Sequence, residues 1–231
     1  MFYPNLIRSI KPDSRVLEIG PGNTPFYRSD IYLEKIFSDE DLFNQSGRTK
    51  RRNFKKEIVK YSGGKFPFDD FEFDYVIASH VLEHIPFCEV ADFIAELERV
   101  APRGYVEVPL YTYELSKDID VHELMINICG VNGVEVRICD KNSFCDISER
   151  KLMQKLFKSA GGDLLRVAPW YFVQGFEWER KIDYKLVNSS EELIPEGLEM
   201  QFNSFKGEYK GRFGSLANKH RFCQMLFNRF G

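Results

Sequence analysis

Short apolar runs that end in glycine or proline divide the first half of the chain. Residues 16–19 (VLEI) lead into the turn 20–22 (GPG), and residues 73–78 (FDYVIA) form a longer apolar run. Runs of this length are typical of strands that are buried on both faces of a sheet. Residues 90–100 have apolar positions spaced by three, one, three and three, as on one face of a helix. With the run 105–108 (YVEV) behind it, this order predicts strand–helix–strand units and a mostly parallel sheet.

Two other segments of the chain complete this pattern. Residues 31–33 (IYL) predict a second short strand, whereas residues 41–60 are polar and predicted to be helical in part. Further along, apolar runs at 123–128 and 134–139 flank the pair Asn132-Gly133, which is a strong hairpin turn signal.

The last predicted elements follow the hairpin. A helix is predicted over 148–160, because a capping serine opens it and two glycines stop it. Residues 164–168 and 171–178 then predict antiparallel strands. We therefore expect an α/β domain over 1–188 with a parallel core and an antiparallel edge, followed by a basic C-terminal extension over 189–231.

Composition excludes several classes of protein. With 231 residues, 43% of them apolar and 29% charged, the chain has the profile of a globular protein with a substantial core. No apolar run approaches the roughly 18–20 residues of a membrane span, and no signal-peptide pattern opens the sequence. The five cysteines include no C-x-x-C pair, which argues against a disulfide scaffold or zinc ribbon and favours a reducing cytoplasm.

Charge is distributed unevenly along the chain. Residues 48–60 carry +6 and residues 203–231 carry +5, so a net charge of −3 leaves −14 on the remainder. Residues 48–60 could be a nucleic-acid patch or a nuclear localisation signal. We interpret them as a solvated excursion between strands, because Phe54 alone does not make a set of stacking groups interleaved with the charges. As a helix, the end of 203–231 would gather apolar groups on one side. Such a helix suits an anionic membrane surface, the domain itself or a second subunit.

Three blocks of sequence keep a common order and spacing: VLEIGPGNTPF (16–26), FPFDDFEFDYVIASHVLEHI (66–85) and ELERVAPRGYVEVP (96–109). Together they resemble a class I S-adenosylmethionine-dependent methyltransferase. A fourth block, GFEWERKIDYKLV (175–187), is similar to a subgroup associated with surface-glycan biosynthesis. The resemblance implies a Rossmann-like, mostly parallel seven-stranded sheet with an antiparallel edge. It also implies S-adenosyl-L-methionine bound at the carboxyl ends of the early strands, where open α/β sheets bind ligands.

The resemblance assigns residues around the turn 20–22 to the cofactor. Gly20 and Gly22 let the backbone approach a ligand closely, and with Glu18 they would hold the methionine moiety. An acid at the end of the second strand would bind the ribose hydroxyls. Glu34 is the first choice, with Asp39 in reserve because Glu34 follows Gly22 by only twelve residues.

Three more residues complete the implied cofactor site. Where the family often has an acid near the adenine, this chain has Ser62 followed by two glycines, so backbone groups would substitute. Ser79 and His80 come directly after the FDYVIA run and would line the cofactor pocket.

The string H-V-L-E-H at 80–84 has the donor types of a divalent-cation site. Some class I methyltransferases that act on catechol-like or RNA-end hydroxyls use a comparable E-x-x-E-H site, with a later histidine that His122 would supply. The string also matches the H-x-x-E-H peptidase pattern, but Pro86 interrupts the helix which that pattern needs. We expect no metal ion, and expect Glu83 to be structural and paired with Arg99.

Methyl transfer is an in-line displacement from a sulfonium that is already activated, so positioning supplies much of the rate. A general base helps when the acceptor is a hydroxyl. His84 is the first candidate, because it is predicted near the mouth of the site. His122 and Tyr111 follow as further catalytic candidates, with Tyr113 beside them. Ordinary packing is expected for at least one of the two tyrosines.

The leading hypothesis is a cytoplasmic methyltransferase that transfers a methyl group to an oxygen or nitrogen of a small molecule or glycan precursor. An RNA methyltransferase that uses the two basic segments is one alternative, although nucleic acid is the less favoured partner. A methyltransferase-like binding module without catalysis is another. Peripheral membrane contact through 203–231 and the oligomeric state are left open.

Overall fold

The computed structural model describes residues 1, 3–22, 25–36, 56–129, 134–144, 148, 150–152, 154–155 and 169–195. In this part of the chain, nine strands form two sheets. The strands are β1 (Val16–Ile19), β2 (Ile31–Lys35), β3 (Glu57–Tyr61), β4 (Tyr75–Ser79), β5 (Arg103–Pro109), β6 (Leu124–Cys129), β7 (Glu135–Asp140), β8 (Val173–Glu179) and β9 (Tyr184–Val187).

Six strands form the larger sheet, in the order β3-β2-β1-β4-β5-β8. All neighbours are parallel except β5 and β8, which pair antiparallel from Arg103↔Glu179 to Pro109↔Val173. The central strands β1 and β4 are buried almost throughout, as their uninterrupted apolar runs require. The predicted α/β architecture, the mostly parallel sheet and its antiparallel edge are confirmed. Within the described residues this sheet has six strands rather than the expected seven.

Three strands form a separate small sheet, in the order β6-β7-β9. Strands β6 and β7 are the predicted hairpin, and β9 runs parallel to β7. The hairpin therefore belongs to the small sheet and not to the larger one. The predicted turn at 132–133 and strand at 164–168 lie outside the described residues. Of the helix predicted over 148–160, the described positions up to 155 are helical.

The described α-helices are α1 (Val90–Val100), α2 (Tyr111–Lys117), α3 (Lys141–Phe144) and α4 (Ser190–Leu193). Helix α1 is the amphipathic helix that the sequence predicts, and its five predicted apolar positions are buried. Single 3₁₀ turns cover Pro4–Leu6, Leu82–His84, Phe87–Glu89 and Pro169–Tyr171. The turns on either side of Pro86 replace the continuous helix that a zinc peptidase would need at this place.

The interpretation of residues 41–60 as partly helical is wrong for the end that the structure describes. Residues 57–61 form β3, the edge strand of the larger sheet, and residues 37–55 lie outside the described residues. Glu57 and Lys60 are exposed in this strand, while Ile58 and Val59 are half-buried. A strand with only one neighbour tolerates polar side chains, and its composition therefore hides it from pattern analysis.

The first residues of the expected C-terminal extension, 189–195, pack on the small sheet. Leu193 is buried in a cluster with Met125 and Val187, and its carbonyl oxygen accepts a hydrogen bond of 2.9 Å from Asn127 Nδ2. The basic segment 203–231 lies outside the described residues.

Two expectations from composition can be compared with the described residues. None of the helices in that part of the chain is long and apolar enough to cross a bilayer. The described cysteines Cys88, Cys129 and Cys139 are free thiols.

Candidate active site

The turn that follows β1 depends on two glycines in a left-handed backbone conformation. Gly20 and Gly22 both have φ of +57°, which residues with a side chain rarely adopt. The amide of Gly20 donates a hydrogen bond of 2.9 Å to the carbonyl of Leu33 in β2. A Cβ on Gly20 would lie 2.9 Å from Val81 Cγ2, so the turn packs directly against the segment that follows β4. The carboxyl ends of β1, β2 and β4 therefore meet at this turn.

Gly22 leaves open space in front of the turn. A Cβ built on this residue meets no atom within 4 Å among the described residues. The backbone at Gly22 is thus open to a ligand, whereas a side chain at this position would block the approach. The family resemblance predicts this role for Gly22.

Glu18 is buried behind the turn, with only 3% of its surface exposed. Its carboxylate accepts hydrogen bonds from the Phe26 amide at 2.9 Å and from Ser29 Oγ at 2.6 Å. Burial raises the pKa of Glu18 to about 7, although these two hydrogen bonds act in the opposite direction. In this arrangement Glu18 closes the loop between β1 and β2.

Glu34 lies half-buried near the end of β2, next to the turn that follows β1. Burial raises the pKa of Tyr61, at the end of β3, to about 12. The nearby Glu34 carboxylate adds to this shift. Ser62 follows β3 and is exposed, and Gly63 behind it has φ of +105°. A Cβ on Gly63 would lie 3.5 Å from Lys35 Cε, so the β3 turn approaches the end of β2. The residues predicted for ribose and adenine thus follow neighbouring strands.

Ser79 and His80 connect the end of β4 to a buried carboxylate, Glu107 of β5. Ser79 Oγ donates a hydrogen bond of 2.8 Å to Glu107 Oε1, and His80 Nε2 lies 3.4 Å from the same oxygen. His80 has φ of +58°, a strained conformation for a residue with a side chain. Strain of this kind persists only where the surroundings fix it, and here the His80 amide also bonds the Glu107 carbonyl at 2.8 Å.

Glu107 is a residue of the site that sequence reasoning did not single out. It is fully buried, and its Oε2 accepts hydrogen bonds from the Tyr3 amide at 2.8 Å and from Tyr105 Oη at 2.9 Å. A lone acid inside the apolar strand YVEVP was the available signal, because buried carboxylates are rare unless they have partners.

His80 also contacts Glu83 on its other side. The distance from His80 Nδ1 to Glu83 Oε1 is 3.2 Å. Burial alone would lower the pKa of His80, but the carboxylates of Glu107 and Glu83 outweigh it and raise that pKa to about 9. His80 is therefore a cation at neutral pH.

The expected pairing of Glu83 with Arg99 is wrong. Arg99 instead binds Glu96 at 2.7 Å and Asp70 at 2.9 Å, because α1 carries it toward the start of β4 rather than its end. Glu83 is fully buried among histidines. Burial would raise its pKa, but the neighbouring positive charge, mainly that of His80, holds the pKa of Glu83 below its usual value.

His84 and His122 lie edge to face, with ring centroids 4.7 Å apart. His84 Nδ1 is 3.0 Å from the carbonyl oxygen of Val121, and His122 Nδ1 is 2.5 Å from Glu114 Oε1. Because both acceptors are oxygens that carry no proton, each Nδ1 is the protonated nitrogen. In the neutral form of the His84 ring, Nε2 then carries the lone pair. Burial lowers the pKa of His84, which favours the neutral ring.

Glu114 of α2 is the second residue that sequence reasoning missed. It is fully buried, holds His122, and lies 3.4 Å from Lys141 Nζ. Lys141 in turn binds Asp118 at 3.0 Å, and Asp118 binds Arg150 at 3.1 Å. No local pattern marks this network, because its members come together only when the small sheet packs beside α2.

The two tyrosines of α2 point in different directions, since positions i and i+2 of a helix do not share a face. Tyr113 lies stacked near His122, with ring centroids 6.5 Å apart. Tyr111 packs beside Phe144 at 6.2 Å, among apolar residues of the small sheet. The structure thus brings His84 and His122 together and places Tyr111 away from them.

The strand order with its reversed edge strand and the glycine turn after β1 agree with the fold that the resemblance to class I S-adenosylmethionine-dependent methyltransferases implies. Residues 18–107 match the family model described as a methyltransferase domain. Residues 18–107 are thus similar to a methyltransferase domain, and this similarity supports S-adenosyl-L-methionine as the cofactor. The matched region begins at Glu18 and ends at Glu107, so Glu114 and His122 lie beyond it.

Solved structures with a similar chain include the PH0226 protein of Pyrococcus horikoshii, with 16% identity over 66% of this chain and 76% of that one, and a TM-score of 0.38. A SAM-dependent methyltransferase from Aquifex aeolicus is 15% identical over 58% of this chain and 86% of that one, with a TM-score of 0.33. One from Methanosarcina mazei is 17% identical over 51% and 68%, with a TM-score of 0.33. No curated protein sequence matches the chain.

The turn after β1 fits the cofactor. The open space in front of Gly22 would admit a ligand against the backbone, and Glu34, near the end of β2, would offer it a carboxylate. When bound, S-adenosyl-L-methionine supplies an activated methyl group on a sulfonium.

Proposed function

We propose that this protein transfers the methyl group of S-adenosyl-L-methionine to an oxygen or nitrogen of a small molecule or glycan precursor. The observation that carries the proposal is the histidine pair His84–His122, which lies directly beyond His80 at the end of β4. In this proposal the cofactor occupies the turns after β1, β2 and β3, and the acceptor meets the histidine pair.

Each proposed cofactor residue has a distinct task. Gly20 and Gly22 present backbone to the methionine moiety, and Glu18 fixes the loop that holds them. Glu34 binds the ribose hydroxyls, and the turn at Ser62 faces the adenine. Ser79 and His80 line the pocket, both held in place by Glu107.

His84 acts on the acceptor through the lone pair of its Nε2. Its Nδ1 is bound to the Val121 carbonyl, so the ring is fixed in orientation and tautomer. In the simplest form of the mechanism this lone pair takes the proton of an acceptor hydroxyl as the oxygen attacks the methyl group. His122 lies beside the same position and Tyr113 stacks near it. Tyr111 is proposed only as a more distant contributor.

The burial of the histidine pair supports a small acceptor. The His122 side chain is 10% exposed and His84 is half-buried, so only a slender group reaches them. A small molecule or a sugar hydroxyl fits this requirement better than a nucleic-acid duplex. The glycan precursor rests on the likeness of residues 175–187, which form β8 and β9 with the loop between them. A cytoplasmic location is part of the same proposal.

Turnover of a His84→Gln protein tests the proposal. We expect S-adenosylhomocysteine formation on a panel of sugars and small hydroxyl or amine acceptors to fall by a factor of about 10² or more. Affinity for S-adenosylhomocysteine should stay within about 2-fold, since His84 is placed on the acceptor side. His220→Gln, outside the described residues, is the matched control. Full turnover by His84→Gln with an acceptor that the parent enzyme uses would refute this role.

A further inference from the structure

The side chains of Glu83, His84 and His122 bring three metal-ligand atoms within 4.8 Å of one another. We propose that these three residues bind a divalent transition-metal ion beside the cofactor pocket. The site extends the proposed function and rests on it for its role in catalysis, but ion binding itself does not depend on that function.

The two imidazoles are oriented as metal ligands are. Ligating histidines almost always donate their other ring N–H to a carbonyl or carboxylate, which fixes the ring and its tautomer. His84 Nδ1 bonds the Val121 carbonyl at 3.0 Å, and His122 Nδ1 bonds Glu114 at 2.5 Å. Nε2 is therefore the nitrogen of each ring that would bind an ion, and it would do so from the neutral ring.

Glu83 supplies the negative charge of the site. Its side chain is 1% exposed, and neither carboxylate oxygen receives a hydrogen bond of good geometry from the described residues. His80 lies at ion-pair distance from one oxygen only. His80 offsets much of the cost of burying this carboxylate, and Glu83 Oε2, which has no hydrogen-bond partner among the described residues, is left to contact a cation.

The residues behind the ligands form a rigid support. Glu114 receives a second contact from Lys141, which is itself bound to Asp118. This chain of buried charges holds the carboxylate that orients His122. Hydrogen bonds that metal-binding histidines donate to carboxylates raise the basicity of the ligand nitrogen, and Glu114 is placed to accept such a bond from His122.

The donor set indicates the class of ion. Two imidazoles and one carboxylate are the ligands of catalytic zinc sites and of related transition-metal sites, which keep a further position open. Magnesium and calcium prefer oxygen ligands throughout. An open position here would accept a hydroxyl oxygen of the acceptor, so the site favours O-methylation.

The ion would change how His84 contributes, because the Nε2 lone pair would be given to the metal. A hydroxyl that touches the ion has a lowered pKa and loses its proton to solvent. Its oxygen then forms the O–C bond as the C–S bond breaks, and the sulfonium leaves as a neutral thioether. Charge and atoms balance without any further reactant.

Titration of the full chain with Co²⁺ tests the site. Protein without a histidine tag is stripped with a chelator and titrated by calorimetry and by visible absorption of the bound ion. We expect one ion per chain. His122→Gln should lower affinity at least about 10-fold, and Glu114→Gln, which keeps the three ligands, should lower it about 10- to 100-fold. His220→Gln should bind as the parent does.

One control measurement separates the loss of a metal ligand from unfolding. Each variant is tested for S-adenosylhomocysteine binding, because an unfolded variant would lose ion binding as well. A parent protein that binds S-adenosylhomocysteine but no Co²⁺ would overturn the site and leave the methyltransferase function standing. Co²⁺ binding that His122→Gln leaves unchanged would also overturn it. Ion binding without cofactor binding would support the site and contradict the proposed function.

Discussion

In the turn after β1, Gly20, Gly22 and Glu18 each have a different structural role. Gly22 offers open backbone to the ligand, while Gly20 is needed for close contact with Val81. Glu18 lies behind both glycines and holds the loop through Phe26 and Ser29. The family resemblance assigns Glu18 to the ligand. In this structure its carboxylate stabilises the turn.

Gly22→Val should weaken S-adenosylhomocysteine binding. The substitution forces a branched side chain into a left-handed conformation, at a cost of about 1–2 kcal/mol, and fills the space in front of the turn. We expect at least a 10-fold loss of affinity by calorimetry. Arg180→Val is the control, since Arg180 has φ of +66° but follows β8 at the opposite end of the sheet. Equal losses of affinity in both variants would contradict a specific role for Gly22.

Glu18→Gln should flatten the dependence of stability on pH. The pKa of Glu18 is raised to about 7 from a usual 4.5, so the folded protein binds more protons than the unfolded chain between these values. The contribution of Glu18 to the free energy of unfolding therefore falls as pH rises from about 4.5 to 7, by about 3 kcal/mol. Urea denaturation of both proteins at several pH values measures this. Parallel curves for parent and variant would show that the shift is absent.

At the level of strands and helices, continuous apolar runs identify β1, β4 and β5, and the three-four spacing identifies α1. These elements are buried by several neighbours, so their sequences are apolar enough to recognise. Strand β3 is half-exposed at an edge and has the composition of a loop. The separation of β6, β7 and β9 into their own sheet is a matter of tertiary packing, which no local pattern encodes.

Gly175→Ala should destabilise the pairing of β5 with β8. A Cβ at residue 175 would lie 2.0 Å from Tyr105 Oη, which is also a hydrogen-bond donor to Glu107. Overpacking of this kind costs about 1–3 kcal/mol in the free energy of unfolding. The double variant Gly175→Ala/Tyr105→Leu should lose less than the sum of the two single losses, because it removes the clash. Strict additivity in urea denaturation would argue against this contact.

For the whole molecule, the candidate site combines parts of different predictability. The residues proposed to bind the cofactor lie within residues 18–107, where the sequence motifs occur. They could therefore be proposed from the sequence. The pairing of His84 with His122 could only be guessed, since the residues are far apart in sequence and meet because 119–123 packs on the turn at 82–84. Sequence reasoning missed Glu107 and Glu114. An isolated acid stands out only when it is known to be buried, and its burial depends on the assembled fold. The two basic segments, residues 48–60 and 203–231, lie beyond the proposed machinery.

For segment 203–231 an anionic membrane surface, the domain itself and a second subunit are left open as partners, and liposome sedimentation tests the first of these. The segment's charge of +5 and its apolar residues are the combination that interfacial helices use. The protein should sediment with anionic liposomes at low salt and be released at high salt, whereas neutral liposomes should leave it in the supernatant. Lys219→Glu/Arg221→Glu should reduce sedimentation at least about 10-fold. A protein that stays in the supernatant with anionic liposomes at low salt would refute the prediction.

Calorimetric titration of the full chain with S-adenosylhomocysteine tests the central claim most directly. Binding of one ligand per chain, with a matching rise in the thermal unfolding temperature and a clear loss in Gly22→Val, is the predicted result. Absence of both heat and thermal shift at millimolar ligand, in protein that is folded by circular dichroism, would contradict the assignment of a methyltransferase cofactor site to the turn after β1.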